Sequence, residues 1–323
     1  MDIKPYCANI EIINRCNYDC IHCFDYKKEA ELKEMSLHKF KVIIDKLEDE
    51  KIFFYNIIGG EPLLHKKWKE IIRYLYKKGA CYSISTNGSL LNEKNILYLK
   101  NAGLNHIKLS LDGPEKIHNK IRKNNQAFHH LIRCTKLLKK YKMPFSFQMT
   151  VMESNYRFIG KTCEIAKTLG ASAIRINFYK DFNNLVNKSL KSLTGKNLKK
   201  AILQIETLVK TTEKKLDFKV NFENSLATIG KNKSTCGAGT NKLQIDTNGD
   251  VTPCRYLPIN MGNLYTNKFA IILNHPIRNT LKKFHKIIKK GCKECSSNKI
   301  CRGGCPAFIY NTYGNFTTKD PRC

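Results

Sequence analysis

Ten of the fourteen cysteines fall into two spaced sets. The first is Cys16-x3-Cys20-x2-Cys23. The second is Cys236, Cys254, Cys292, Cys295, Cys301, Cys305 and Cys323, with Gly249 five residues before Cys254. Three thiolates can hold three irons of a four-iron cluster and leave the fourth iron open for a substrate or cofactor to coordinate. A zinc site is the rival for the first set, but it would normally want a fourth ligand close by. His22 could serve, though a ligand adjacent to Cys23 is geometrically awkward. Within residues 292–305 the Cys-x2-Cys pair leaves a zinc ribbon as the competing reading. A secreted disulfide framework is the third alternative. No signal peptide supports it, because residues 1–14 carry Asp2, Lys4 and Glu11 and lack an apolar core.

Three further short motifs stand where chemistry could sit. Gly59-Gly60-Glu61-Pro62 lets backbone approach a ligand closely and offers a carboxylate for an ammonium group. Ser85-Thr86-Asn87-Gly88 and Ser110-Leu111-Asp112-Gly113 are polar, and Asp-Gly-Pro is also a plain turn signal. The elements that must position them alternate. Apolar, β-branched runs at 10–13, 52–58, 82–85, 106–111, 145–151 and 173–178 predict strands. Segments of helical period at 37–47, 68–78, 93–101, 128–141 and 157–169 lie between them, with Gly79, Gly103 and Gly170 where helix C-caps belong. Six strands with crossover helices predict a parallel sheet, closed or partly closed as a barrel. Such folds place chemistry on the loops after strand C-terminal ends, and the cysteine motif and all three polar motifs fall there.

Residues 181–196 are polar and Asn-rich and predict a loop. Residues 198–215 have helical period, and 218–222 suit a strand. Residues 242–246 and 250–253, joined around Asn248-Gly249, read as a β-hairpin. The expected division is therefore 1–195, a linker at 196–235, and a cysteine-rich module at 236–323. Cys7, Cys81, Cys134 and Cys163 show no spacing signal and are expected to be small core thiols, with Cys7, close to the barrel mouth in sequence, the first candidate for an exception.

The formal net charge of +30, from 57 basic and 27 acidic residues, invites an acidic peptide, a nucleic acid or an anionic surface. The lysines are spread rather than clustered, so compositional habit also accounts for it. No stretch of about 18 apolar residues could span a membrane. The setting expected is reduced, cytoplasmic and anaerobic.

Taken together, Cys16, Cys20, Cys23 and the Gly59–Pro62 run resemble the radical S-adenosylmethionine (SAM) superfamily over about residues 8–180. That resemblance implies a partial (β/α)6 TIM-like barrel in which SAM chelates the open iron of a [4Fe-4S] cluster. It further implies that Gly59, Gly60, Glu61 and Pro62 meet the methionine amino group, and that Thr86, Asn87, Ser110 and Asp112 lie at polar contacts to the cofactor. His22 takes the slot beside the adenine. The seven C-terminal cysteines resemble the SPASM extension, implying a small C-terminal iron–sulfur domain with two auxiliary [4Fe-4S] clusters. By position, Cys292, Cys295, Cys301 and Cys323 would hold the outer one, and Cys236, Cys254 and Cys305 the inner one. No cysteine between Cys163 and Cys236 offers the inner cluster a fourth ligand, so either another side chain supplies it or, as expected here, the site is open and binds substrate. Sulfatase-maturing relatives place an acid after the second of these cysteines. Here it is Arg255, which cannot act as a base but could anchor a carboxylate.

The activity implied is reductive cleavage of SAM and hydrogen abstraction from a ribosomal peptide or protein side chain, giving a crosslink, epimerisation or oxidation. The expected partners are a precursor peptide, acidic in character, and an electron donor such as flavodoxin or ferredoxin. With 15 residues before Cys16, leader recognition is expected to need a separate peptide-recognition protein or the basic surface. The alternatives are the same chemistry on a tetrapyrrole or peptide-derived cofactor precursor, RNA modification, and a non-catalytic electron carrier.

Overall fold

Every strand expected in the first 180 residues forms. The computed structural model describes residues 4–23, 32–181, 190–212, 217–222, 236–284, 286–287, 289, 291–294 and 303–322. Along the chain these make β1 (Cys7–Ile13), α1 (Leu37–Asp49), β2 (Phe54–Gly59), α2 (Trp68–Lys77), β3 (Cys81–Thr86) and α3 (Glu93–Asn101). Then follow β4 (His106–Ser110), α4 (Glu115–Arg122), α5 (Ala127–Lys140), β5 (Phe145–Val151), α6 (Ile159–Thr168) and β6 (Ala173–Phe178). The rest are α7 (Gly195–Thr212), β7 (Lys219–Phe222), β8 (Lys242–Ile245), β9 (Val251–Thr252), α8 (Phe269–Leu273), α9 (Pro276–Phe284) and α10 (Pro306–Tyr313).

The chain divides into two compact units. The first comprises Met1–Asn17, Asp25–Ile107 and Gly237–Lys283. Within it β1, β2 and β3 pair in parallel, as the βα alternation requires. The helices bury one apolar stripe each. In α1 it is Phe40, Ile43, Ile44 and Leu47, and in α2 it is Trp68, Ile71, Ile72 and Leu75, spaced to face one side. Each such side chain contributes roughly 1.5–3 kcal/mol of burial. Ser36 caps α1 by accepting from the Lys39 N–H at 3.1 Å.

The hairpin at 242–252 forms as expected, with Gln244 opposite Thr252 and Ile245 opposite Val251. Gly249 turns it at φ +93°, and a Cβ there would crowd Asn263, Ile43 and Tyr265. One feature of the hairpin lay beyond sequence reasoning. β8 pairs in parallel with β1, Cys7 with Lys242 through Ile10 with Ile245, so the start of the cysteine-rich region extends the sheet of the first strands. Lys46 in the last turn of α1 secures it, donating to the carbonyls of Leu264, Tyr265 and Asn267 at 2.9, 3.1 and 3.0 Å.

The second unit comprises Tyr18–Phe24, Lys108–Cys236 and Phe284–Cys323. In it β5, β6 and β7 pair in parallel, so the strand expected at 218–222 forms and extends this sheet. β5 alternates buried and half-buried along its length, the period of a sheet with one packed face. α4 was not anticipated. Pro114 stands at its N-cap and Glu115 opens its first turn, which are the signals that mark it. Cys7, Cys134 and Cys163 are buried as expected, and Cys81 is half-buried. Burial pushes the Cys163 thiol up to about 12. Among the described residues no helix is long and apolar enough to cross a membrane.

Candidate metal centre

The Cys16 arm of the first cysteine motif belongs to the first unit, in the loop after β1. Its neighbours are the loops after β2 and β3. The Gly60 N–H donates to the Ile13 carbonyl at 2.8 Å and the Glu61 N–H to the Arg15 carbonyl at 2.9 Å. This seam explains the two glycines. A Cβ on Gly59 would lie 2.3 Å from the Ile13 oxygen, and one on Gly60 would lie 2.2 Å from the Arg15 oxygen. Only bare backbone can come that close to the strand of chain leading into Cys16.

Glu61 does not present its carboxylate outward. It is fully buried, caps a 3-10 turn at Pro62–Leu64, and accepts from the Leu63 N–H at 3.3 Å. It also accepts from the Thr86 hydroxyl at 2.8 Å and the Asn87 N–H at 2.9 Å. The carboxylate expected to meet an ammonium group therefore clips the β2 loop to the β3 loop. Asn87 is the residue so fixed. Its side-chain amide donates to the Asn17 side chain at 2.8 Å and reaches the Cys16 Sγ at 3.9 Å.

Burial pushes the Glu61 carboxyl up to about 7 against the pull of its three donors. A raised carboxyl adds stability that is complete below its unfolded value near 4.5 and is lost as pH rises through about 7. Glu61→Gln cannot ionise. Its stability relative to the parent chain should rise by on the order of 3 kcal/mol between pH 5 and pH 8. Urea unfolding of both cluster-free proteins at the two pH values measures it, and an unchanged difference contradicts this account of Glu61.

The Cys20–Cys23 arm belongs to the second unit and is laced to the end of α4. The Ile21 N–H donates to the Ile121 carbonyl at 2.9 Å, Arg122 Nη1 reaches Cys20 Sγ at 3.7 Å, and Lys123 Nζ pairs with Asp19 at 2.8 Å. The Tyr18 hydroxyl and His130 Nδ1 are hydrogen-bonded at 2.7 Å. Asp112 is fully buried and anchors Arg122 through Oδ2, at 2.7 Å from Nε and 2.6 Å from Nη2. Burial alone would push the Asp112 carboxyl up. Chiefly Arg122, with the Thr150 N–H, outweighs it and holds it below the usual carboxylate range. His118 is neutral, pushed down to about 3 chiefly by burial, and its Nδ1 accepts from the Asp112 N–H at 3.2 Å. Ser110 ends β4 half-buried. Sequence reasoning gave Arg122 no role, and nothing short-range marks it.

His22 Nδ1 is buried without a hydrogen-bond partner among the described residues. Burial holds its ring neutral, pushed down to about 4. An orphaned nitrogen beside Cys23 is a place for a bound polar group. In the first unit the Cys16 thiol has an N–H donor beside a glycine seam that admits no side chain, and in the second the Cys20 thiol has an N–H donor too, so each by itself suits a thiolate ligand of a cluster. No three His, Cys, Asp or Glu side chains among the described residues converge to hold a single metal ion. A four-iron cluster asks for thiolates spread over the corners of a cube instead.

Of the second cysteine set, Cys236, Cys254, Cys292 and Cys305 are described, whereas Cys295, Cys301 and Cys323 lie outside the described residues. In the second unit, the Cys305 N–H donates to Asp320 Oδ2 at 2.9 Å, and Arg322 grips Asp320 at 2.9 and 2.8 Å. The Cys292 N–H donates to the Lys289 carbonyl at 2.9 Å. Burial opposes ionisation of the Cys305 thiol, but Lys180 and Arg322 together hold it below its usual value. In the first unit, Arg255 lies 3.6 Å from Glu11 of β1. The carboxylate that Arg255 meets is thus this chain's own.

Residues 10–162 match the model of the radical SAM superfamily, and residues 236–296 match SPASM, an iron-sulfur cluster-binding domain. The chain is 27% identical over 280 residues to the antilisterial bacteriocin subtilosin biosynthesis protein AlbA of Bacillus subtilis (strain 168), covering 84% of this chain and 60% of that one. It is 27% identical over 338 residues to the AdoMet-dependent heme synthase of Methanosarcina barkeri, covering 97% and 94%. Among solved structures, Streptococcus suis SuiB bound to S-adenosylmethionine shares the fold at TM-score 0.79 and 16% identity, covering 99% of this chain and 77% of that one. The fold expected, a partial (β/α)6 barrel with a small C-terminal cysteine-rich domain, is borne out.

Proposed function

This chain is a radical SAM enzyme with a SPASM domain, its cofactors [4Fe-4S] clusters and SAM, and from that premise we propose that it abstracts hydrogen from a side chain of a ribosomal peptide or protein. Cys16, Cys20 and Cys23 hold the cluster that binds SAM. Cys292, Cys295, Cys301 and Cys323 hold an outer auxiliary cluster, and Cys236, Cys254 and Cys305 an inner one. When bound, that cluster would supply the electron for reductive cleavage of SAM. The protein's own part is placement and exclusion of water. Glu61 clips two loops beside Cys16, Asp112 fixes Arg122 beside Cys20, and His22 offers Nδ1 to the bound cofactor.

The observation that carries the peptide reading is the match to a bacteriocin biosynthesis protein across 84% of this chain. The net charge of +30 supports an acidic precursor as partner.

A tetrapyrrole is the second reading. AdoMet-dependent heme synthases match 97% and 100% of this chain and are themselves covered to 94% and 88%, whereas the bacteriocin protein is covered to 60%. The test is to incubate the reconstituted enzyme anaerobically with SAM, reductant and either an acidic precursor peptide encoded beside the gene or a coproporphyrin. Mass spectrometry of both is the readout. Loss of hydrogen from the peptide alone supports the first reading. Decarboxylation of the porphyrin propionates alone replaces it with the second. The cytoplasm, with flavodoxin or ferredoxin as electron donor, is the setting we infer.

A further inference from the structure

The last turn of α4 meets the cysteine loop in reverse order, Ile121 with Ile21, Arg122 with Cys20, and Lys123 with Asp19. The central contact differs from its neighbours. Ile21–Ile121 is a backbone bond and Lys123–Asp19 is an exposed ion pair, whereas the Arg122 side chain is 11% exposed and its acid, Asp112, is wholly buried.

A guanidinium paired to a buried carboxylate often uses both carboxylate oxygens. Here Nε and Nη2 both take Asp112 Oδ2, at 2.7 and 2.6 Å, while Oδ1 accepts from the Thr150 N–H at 3.0 Å. The Asp112 carbonyl accepts from Asn155 at 2.9 Å, and its N–H donates to His118. Asp112 is fixed on every side, so the Arg122 plane is fixed too, with Nη1 at 3.7 Å from Cys20 Sγ. A purely structural ion pair has no need to point a third donor at sulfur.

We propose that Arg122 is a positioning residue for the N-terminal centre, donating a charge-assisted hydrogen bond to the Cys20 thiolate and so raising the reduction potential of the cluster bound there. The proposal rests on reading Cys16, Cys20 and Cys23 as iron–sulfur ligands. Hydrogen bonds to sulfur are among the determinants of cluster potential. Reduction adds one electron to the cluster and its thiolates, so a cation hydrogen-bonded to a thiolate favours the reduced form. Charged donors bind about twice as strongly as neutral ones, and burial weakens screening by water. The neutral Asn87 amide, 3.9 Å from Cys16, is the weaker counterpart. Arg122 eases reduction of the centre, and Asp112 holds Arg122 in register.

The test is potentiometric titration of the reconstituted full-length enzyme, following by EPR the reduced-cluster signal that changes when SAM is added. That signal isolates the N-terminal centre from the auxiliary ones. Arg122→Lys keeps the charge but cannot serve Asp112 and Cys20 together. Arg122→Met with Asp112→Asn removes both charges and leaves no buried ion alone. The expected result is a lower potential in both, with a tenfold smaller reduced-to-oxidised ratio at fixed poise in the double variant, about 59 mV for one electron. Unchanged or raised potentials in folded, cluster-loaded variants overturn the proposal. Folded variants that no longer take up the cluster also overturn it, since Arg122 would then hold the loop rather than tune the centre. A parent enzyme with no SAM-sensitive signal would instead overturn the ligand reading itself.

Discussion

Gly60→Ala is expected to abolish loading of the N-terminal cluster while the rest of the chain folds. A Cβ at residue 60 would lie 2.2 Å from the Arg15 carbonyl oxygen and 2.8 Å from that of Asn14. Both are backbone, so no side chain can swing aside. The loop after β2 must instead part from the chain leading into Cys16, breaking the Gly60–Ile13 and Glu61–Arg15 hydrogen bonds. Overpacking of this kind costs about 1–3 kcal/mol in an ordinary core. Here it also displaces a ligand loop, and a misplacement of about 1 Å can cost a hundredfold in rate. The expected result is loss of the SAM-sensitive EPR signal and about a hundredfold less 5′-deoxyadenosine, with auxiliary iron retained. Gly79→Ala is the control. Gly79 sits at φ +66° with nothing near its missing Cβ, so that variant costs about 1–2 kcal/mol of backbone strain and leaves the cluster loaded. Normal loading in Gly60→Ala would contradict the seam.

Asp112→Asn is expected to act on stability before it acts on cofactor affinity. The resemblance of Ser110–Gly113 to a family motif suggests a polar contact to SAM, but the side chain points inward and its oxygens are taken by Arg122 and Thr150. Neutralising it leaves the Arg122 guanidinium buried without its acid, which costs about 3–5 kcal/mol. Adding Arg122→Met should recover much of that loss, because the orphaned charge goes with it. Thermal unfolding of the cluster-free single and double variants measures both effects. A single variant with unchanged stability and weaker SAM binding would make Asp112 a direct cofactor contact instead.

Local signals were legible and long-range ones were not. The cysteine spacing, the β-branched runs and the C-cap glycines at 79, 103 and 170 are short-range patterns, and the strands and turns they predict are present. α4 is not legible in the sequence because Glu115–Arg122 buries only His118 and Ile121, too little apolar period for eight residues to stand out. Glu61 looked like a free charge because its partners, Thr86 and Asn87, are 25 and 26 residues away. Arg122 has its sulfur contact 102 residues away. The pairing of β8 with β1 joins residues far apart in the chain, which no periodicity encodes. The position of Arg255 after Cys254 rules out a base there, whereas its ion pair with Glu11 is a tertiary contact that no local pattern encodes.

The central claim is that the two cysteine sets together hold three four-iron clusters. Iron and acid-labile sulfide per chain after anaerobic reconstitution test it most directly. The prediction is roughly 12 of each. About 4 of each, with zinc alongside, would mean that the C-terminal cysteines bind a structural metal. That result would contradict the account even if SAM cleavage survived.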